Sequence, residues 1–248
     1  METGGHPMPS GCAAREGSEL RGEAPTPAAL DRARADVLAA SKQMARCGLV
    51  AGVWGNVSAR VPGTDLAVVT PSGVDYECMD TGMLGVLDIT SGRRVEGYLR
   101  PSSEARLHLA IYRAREDVLG IMHTHSTWAS AHAAAHQDIP PIVEDLAQAV
   151  GGVVTCAPYA MAGTEELATS AVRALGRKGA ALLANHGVVG VGPTVAEALR
   201  VCQIVEKGAQ IHALARLLGP ASPLPAEDVE KLRRAYLALY CQRSDARS

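Results

Sequence analysis

The sequence predicts an α/β fold, a single-domain sandwich in which helices cover a mixed sheet, and three observations carry that expectation. A helical hydrophobic period opens the patterned part of the chain, apolar runs broken by turns fill residues 49 to 100, and helix and strand patterns then alternate. With 248 residues and 47% apolar content, the chain can fill one large core. Residues 1 to 25 are rich in Gly, Pro, Ser and charges and show no period, so they cannot bury enough surface to offset their ordering entropy. They are expected to form a disordered tail, which leaves 26–248 as the domain.

The elements follow in order. "TPAALDRARADVLAASKQMARCGLV" reads as a helix, with Thr26 placed to cap it, Pro27 suited to the first helical position and Gly48 to a left-handed stop. "LAVVT" and "MLGVLDIT" are short strands between the turn sequences "PGTD", "PSG" and "SGRR". "SSEARLHLAIYRARED" restores the helical period, with Ser102 or Ser103 as its cap, and "VLGIMHTH" follows as a buried strand. "TWASAHAAAH" and "VEDLAQAV" read as helices, "GVVTCAP" as a strand, "TEELATSAVRALGRKG" as a helix and "AALLANHGVVGVG" as a strand pair. The capping box "TVAE", Thr194 with Glu197, starts a long helix reaching about Leu218. "PLPAEDVEKLRRAYLALY" makes a final helix after a Pro-rich break.

Composition narrows the function. The 24 basic and 26 acidic residues leave a net charge of −2, with no bias that would recommend nucleic acid or a membrane surface as partner. Cys12, Cys47, Cys78, Cys156, Cys202 and Cys241 are widely spaced, with no C-x-x-C pair, which suits a reducing compartment. No signal-peptide apolar stretch opens the chain, and no run reaches the roughly 18 apolar residues of a membrane span. The expectation is a cytoplasmic protein that handles small molecules.

Three histidines carry the chemistry. His123 and His125 in "MHTHS" share one face of a strand about 7 Å apart, near enough for both imidazoles to converge on one metal ion. His186 ends a second apolar run, and Gly187 after it lets the backbone approach something closely. Three neutral nitrogens suit Zn²⁺ and leave a position for a carboxylate, water or substrate. Glu104, at a helix start, is the carboxylate nominated; its alternative is a first-turn acid facing the helix dipole. His132 and His136 have the four-residue spacing of a helical metal pair but lack the glutamate of H-E-x-x-H. His6, His108 and His212 have no local company.

Small-residue loops form a second group: Gly55, Asn56 and Ser58 in "WGNVSAR", Thr70, Ser72 and Gly73 in "TPSGV", and Ser102 and Ser103 in "PSSE". Such loops expose backbone N–H groups and hydroxyls and suit a phosphate held by neutral hydrogen bonds. Neither a Walker-type loop nor a G-x-G-x-x-G after a strand is present, so nucleotide binding lacks support.

Taken in order, "GNVSAR", "TPSGV", "PSSEARLH", "MHTHS", "CAPYAMAGTEEL" and "NHGVVGVG" resemble the class II aldolase/adducin family, most of all its fuculose-phosphate-aldolase branch, over about residues 28 to 220. The resemblance implies an α/β/α sandwich on a mostly antiparallel sheet. It implies a divalent metal, Zn²⁺ or another such as Mn²⁺ or Co²⁺, on His123, His125, His186 and Glu104, with Glu104 also moving protons. It implies that Asn56, Ser72, Gly73, Ser102 and Ser103 hold the phosphate of a small phosphorylated sugar or related hydroxy-carbonyl compound. The activity implied is C–C bond cleavage or formation through a metal-stabilised enediolate. Other branches implied by the same site are dehydratases, decarboxylases and epimerases, and the adducin branch is a non-catalytic binding module.

The chain departs from the family pattern before "GG" at 151 and 152, where the family's proton-donating tyrosine gives way to Glu144 and Asp145. A carboxylic acid tuned by burial could take that role; the alternative is a solvated helix start. Tyr236 and Tyr240 are candidates for a catalytic C-terminal tyrosine, although their spacing also suits one packed helix face. The resemblance further implies a homotetramer with active sites at subunit interfaces, where such residues would act on a neighbour's metal.

Overall fold

The computed structural model describes residues 25–245. The expected tail falls, apart from Pro25, outside the described residues. The order is α1 (Pro27–Arg46), β1 (Asn56–Arg60), β2 (Leu66–Val69), a 3₁₀ turn (Thr81–Met83), β3 (Gly85–Asp88), β4 (Arg94–Glu96), α2 (Ala105–Ala114), β5 (Gly120–Thr124), α3 (Thr127–Ala134), α4 (Glu144–Val150), β6 (Cys156–Ala157), α5 (Glu165–Leu175), β7 (Ala180–Leu183), β8 (Gly187–Gly192), α6 (Val195–Leu218) and α7 (Ala226–Asp245).

The eight strands form one sheet in the order β4-β3-β2-β1-β5-β8-β7-β6. All its pairs are antiparallel except β6 with β7. Strand alternation divides the core in two. Val57, Val68, Met122, Leu182 and Val188 face α1, α3, α4 and α6, whereas Val69, Ile121, Ala181, Leu183 and Val189 face α2 and α5. The result is the expected α/β/α sandwich. No helix among the described residues is long and apolar enough to cross a membrane. Cys47, Cys78, Cys156 and Cys202 are free thiols.

Local sequence explains most boundaries. The Thr26 hydroxyl accepts from Ala29 N–H at the start of α1, and Thr194 accepts from Glu197 N–H at 3.1 Å at the start of α6. Two expectations change. "GVVTCAP" contributes only Cys156 and Ala157 to the sheet edge, because Val154 bridges Ile139 instead. Neither serine caps α2: the residue in the capping position is Glu104, while the Ser102 hydroxyl accepts from Glu104 N–H at 3.2 Å.

The antiparallel order brings four strand ends together. β1 starts, β2 ends, β5 ends and β8 starts at the same end of the central strands, and the first turn of α2 lies over it.

Candidate metal centre

In register, β5 places His123 between Asn56 of β1 and Val189 of β8. Asn56, Ser58 and His123 therefore point to the α2 side of the sheet, and Glu104 descends from the start of α2 to meet them. His125 lies one residue past β5 and His186 one residue before β8. Gly187 makes this convergence possible. A β-carbon there would stand 2.3 Å from Thr124 O and 3.0 Å from the His125 ring, so the close backbone approach expected of it is to the end of β5.

One ligand atom from each of Glu104, His123, His125 and His186 lies within 4.8 Å of all the others. His123 Nε2 is 2.9 Å from His125 Nε2 and 3.2 Å from His186 Nε2. Glu104 Oε2 is 3.1 Å from His123 Nε2, and Oε1 is 3.2 Å from His186 Nε2. His123 Nδ1 faces Val188 O at 3.0 Å, which requires a proton on Nδ1 and turns the Nε2 lone pair inward in the neutral ring. Lone pairs directed at one another repel unless positive charge stands between them. Glu104 Oε1 is buried with no hydrogen bond, so the acceptors converge on a point that a cation would satisfy.

Electrostatics agree with that donor set. Burial, followed by the charge of His123, pushes His125 and His186 down to about 4, so both imidazoles are neutral donors at neutral pH. For Glu104, burial acts to raise the pKa, but His123, His186 and a hydrogen bond from Asn56 together hold the carboxyl well below its ordinary range. The Asn56 amide donates to Glu104 Oε2 at 3.0 Å and fixes the carboxylate. Three nitrogens and one carboxylate match the ligands Zn²⁺ and similar divalent ions take.

The phosphate candidates lie beside this cluster. Ser72 N–H donates to Arg100 O at 2.9 Å and Ser102 N–H to Thr70 O at 3.0 Å, which zips loop 70–73 to the segment leading into α2. Ser72, Gly73 and Ser103 are exposed, Ser102 is half-buried, and Gly73 has the left-handed φ of 73°. Asn56 is buried, and its Oδ1 has no partner.

The other candidates lie elsewhere. Glu144 is exposed in the first turn of α4, and Asp145 is paired with Lys207 of α6 at 2.5 Å; neither joins the cluster. Tyr236 donates its hydroxyl to Glu197, whose carbon chain packs on Gly192 at the far end of β8 from His186. Tyr240 belongs to α7, and its side chain lies outside the described residues, as does His6. His132 pairs with His212 at 2.9 Å, and His136 binds Asn185 rather than a shared centre. His108 is fully buried beneath Glu104, 2.6 Å from the Ser58 hydroxyl, which also meets Tyr112 at 2.8 Å.

Sequence reasoning misses Trp54, whose ring lies 6.3 Å from that of His125, inclined by 25°. Its sole signal is a position two residues before Asn56.

Comparison with known proteins agrees with this geometry. Residues 35–213 match the Class II Aldolase and Adducin N-terminal domain. The 5-deoxy-D-ribulose 1-phosphate aldolase of Bacillus thuringiensis serovar kurstaki is 33% identical over 207 residues, 84% of this chain and 96% of that protein. The L-fuculose phosphate aldolase of Escherichia coli K12 is 35% identical over 190 residues, 77% of this chain and 86% of its own. A solved L-fuculose 1-phosphate aldolase superposes with a TM-score of 0.80 at 33% identity, covering 83% of this chain and 96% of that one. By sequence match and by fold, the chain belongs to the class II aldolase and adducin family.

Proposed function

We propose that the protein is a divalent-metal-dependent lyase that cleaves or forms a C–C bond in a small phosphorylated sugar. The observation that carries this reading is the convergence of His123, His125, His186 and Glu104 on one point. These four residues would hold the ion, with Zn²⁺ favoured by the nitrogen-rich set and Mn²⁺ or Co²⁺ as substitutes. When bound, the ion supplies Lewis acidity that stabilises negative charge on the substrate oxygens.

The chain's own residues do the rest. Ser72, Gly73, Ser102, Ser103 and Asn56 bind the phosphate through hydroxyls, an amide and backbone N–H groups, which sets the position of the reacting carbons. In cleavage, a hydroxyl proton passes to the ionised Glu104 carboxylate as its carbon becomes an aldehyde, and the electron pair of the broken C–C bond stays with the ketone half. Glu104, aimed by Asn56, delivers a proton to that carbon. The ordered cluster and the neutral imidazoles of His125 and His186 favour an enzyme over a non-catalytic binding module.

A homotetramer in the cytoplasm completes the reading, with Glu144 or Tyr240 acting on a neighbour's site. It is supported by the likeness to the two aldolases and by Glu144, which is exposed in the first turn of α4 and takes no part in its own chain's cluster. The test is cleavage of 5-deoxyribulose 1-phosphate and fuculose 1-phosphate by metal-loaded and chelator-treated protein. Aldehyde release that disappears with the metal supports the lyase; metal-loaded protein inert toward both sugars and toward their aldol formation sinks it.

A further inference from the structure

The mouth of the metal centre is polar on one side and aromatic on the other. Ser72, Ser102 and Ser103 line the β2 side. On the β5 side the Trp54 indole, 67% exposed, lies nearly parallel to the His125 ring. Its position is built. The Tyr76 hydroxyl, on a side chain that is only 3% exposed, donates to Gly55 O at 2.6 Å and ties the turn to the core. Gly55, at φ 128°, lies so close that a β-carbon would stand 2.6 Å from Val50 and 3.0 Å from His123 O. The turn is thus pressed onto the end of β5, and its neighbour Trp54 is presented to the solvent over a histidine of the cluster.

On the lyase reading, we infer that Trp54 is a specificity-determining residue for the half of the substrate that leaves as the aldehyde, and that it selects a short apolar tail, a methyl or thioether, over a hydroxyl or an anion. The phosphorylated half is held at the serine loops, so the aldehyde half extends past the cluster toward His125 and the indole. An aromatic face makes favourable contact with C–H and sulfur groups. It offers no partner to a hydroxyl, which would lose water there without replacing its hydrogen bonds. The tail therefore contributes to binding only when it is apolar.

The experiment compares kcat/KM for addition of dihydroxyacetone phosphate to acetaldehyde and to glycolaldehyde, which differ by CH₃ against CH₂OH, in wild type, Trp54→Ala and Trp54→Phe. The wild type prefers acetaldehyde, Trp54→Ala lowers the ratio about tenfold, and Trp54→Phe restores most of it. An unchanged ratio in Trp54→Ala overturns the inference while leaving the lyase standing. An unchanged ratio together with a weakened oligomer overturns it too, by assigning the indole to a subunit contact. No product with any aldehyde in metal-loaded wild type overturns both readings. Trp128→Phe leaves Trp54 as the single tryptophan of the two, so its emission reads the contact without touching the side chain. With zinc and dihydroxyacetone phosphate present, saturating acetaldehyde shifts that emission to the blue. An emission unmoved by acetaldehyde contradicts the contact.

Discussion

His136 and Asn185, the two non-glycine residues with left-handed backbone among the described residues, are hydrogen-bonded to each other: His136 Nε2 donates to Asn185 Oδ1 at 2.7 Å. Asn185 directly precedes His186, and its own N–H donates to Ala133 O at 3.1 Å. The φ of 55° at Asn185 turns the chain so that His186 enters the cluster before β8 begins. Asn185→Ala keeps a β-carbon in that conformation and loses the side-chain bond, at a cost of about 1–2 kcal/mol. Weaker zinc binding is expected by calorimetric titration, with Asn185→Gly recovering most of it because glycine adopts this backbone freely. Equal affinity in all three proteins would show that the bond does not hold His186.

Glu104 has a different dependence. Glu104→Gln keeps the shape and a neutral oxygen beside the histidines but removes the proton carrier. Turnover should fall about 10²–10⁴-fold with metal still bound at reduced affinity, whereas His123→Ala should release the metal and abolish turnover together. Metal analysis alongside kinetics separates the two. Full metal occupancy in His123→Ala would refute the ligand assignment.

Ser72→Ala removes one hydroxyl from the proposed phosphate cradle without touching the core. Its KM for a phosphorylated ketose should rise about tenfold to a hundredfold with kcat little changed, as for loss of one hydrogen bond to a charged group. An unchanged preference for the phosphorylated over the unphosphorylated sugar would remove Ser72 from the cradle.

His108 sets a pH dependence of stability. Burial first, and then the charge of His123, pushes its imidazole down to about 3, against an unfolded value of 6.5. Between these values the unfolded chain takes up a proton that the folded chain does not. Stability is therefore complete above pH 6.5 and is lost as pH falls toward 3, by up to about 1.4 kcal/mol per pH unit from this residue. His125 and His186, depressed to about 4, act in the same direction. Urea denaturation at several pH values should show a shallower acid slope in His108→Gln than in wild type; an identical slope would mean that His108 is not held neutral.

The three histidines are legible in the sequence because a strand's two-residue period forces His123 and His125 to one side, and because Gly187 after His186 announces a close approach. The α/β sandwich is legible for a similar reason, since each strand and helix carries its own period and turn residues. What is not legible depends on contacts between distant segments. "GVVTCAP" has a strand's composition, yet the Ile139–Val154 bridge diverts half of it. Ser102 and Ser103 look like helix caps, but the position falls to Glu104, whose carboxylate is committed to Asn56 and the histidines and makes no capping bond. Tyr236 has the periodicity of a packed face and is bound to Glu197 there, far along β8 from His186. Trp54 has no period at all, because its placement comes from Tyr76 and the end of β5.

The most direct test of the proposed lyase is NMR of the zinc-loaded protein with dihydroxyacetone phosphate in deuterated water, with and without chelator. A single α-proton of the ketone should exchange for deuterium, the exchange should stop when zinc is removed, and Glu104→Gln should slow it by orders of magnitude. Zinc held at full stoichiometry, with neither exchange nor an aldol product on adding acetaldehyde, would contradict the proposed chemistry at this centre.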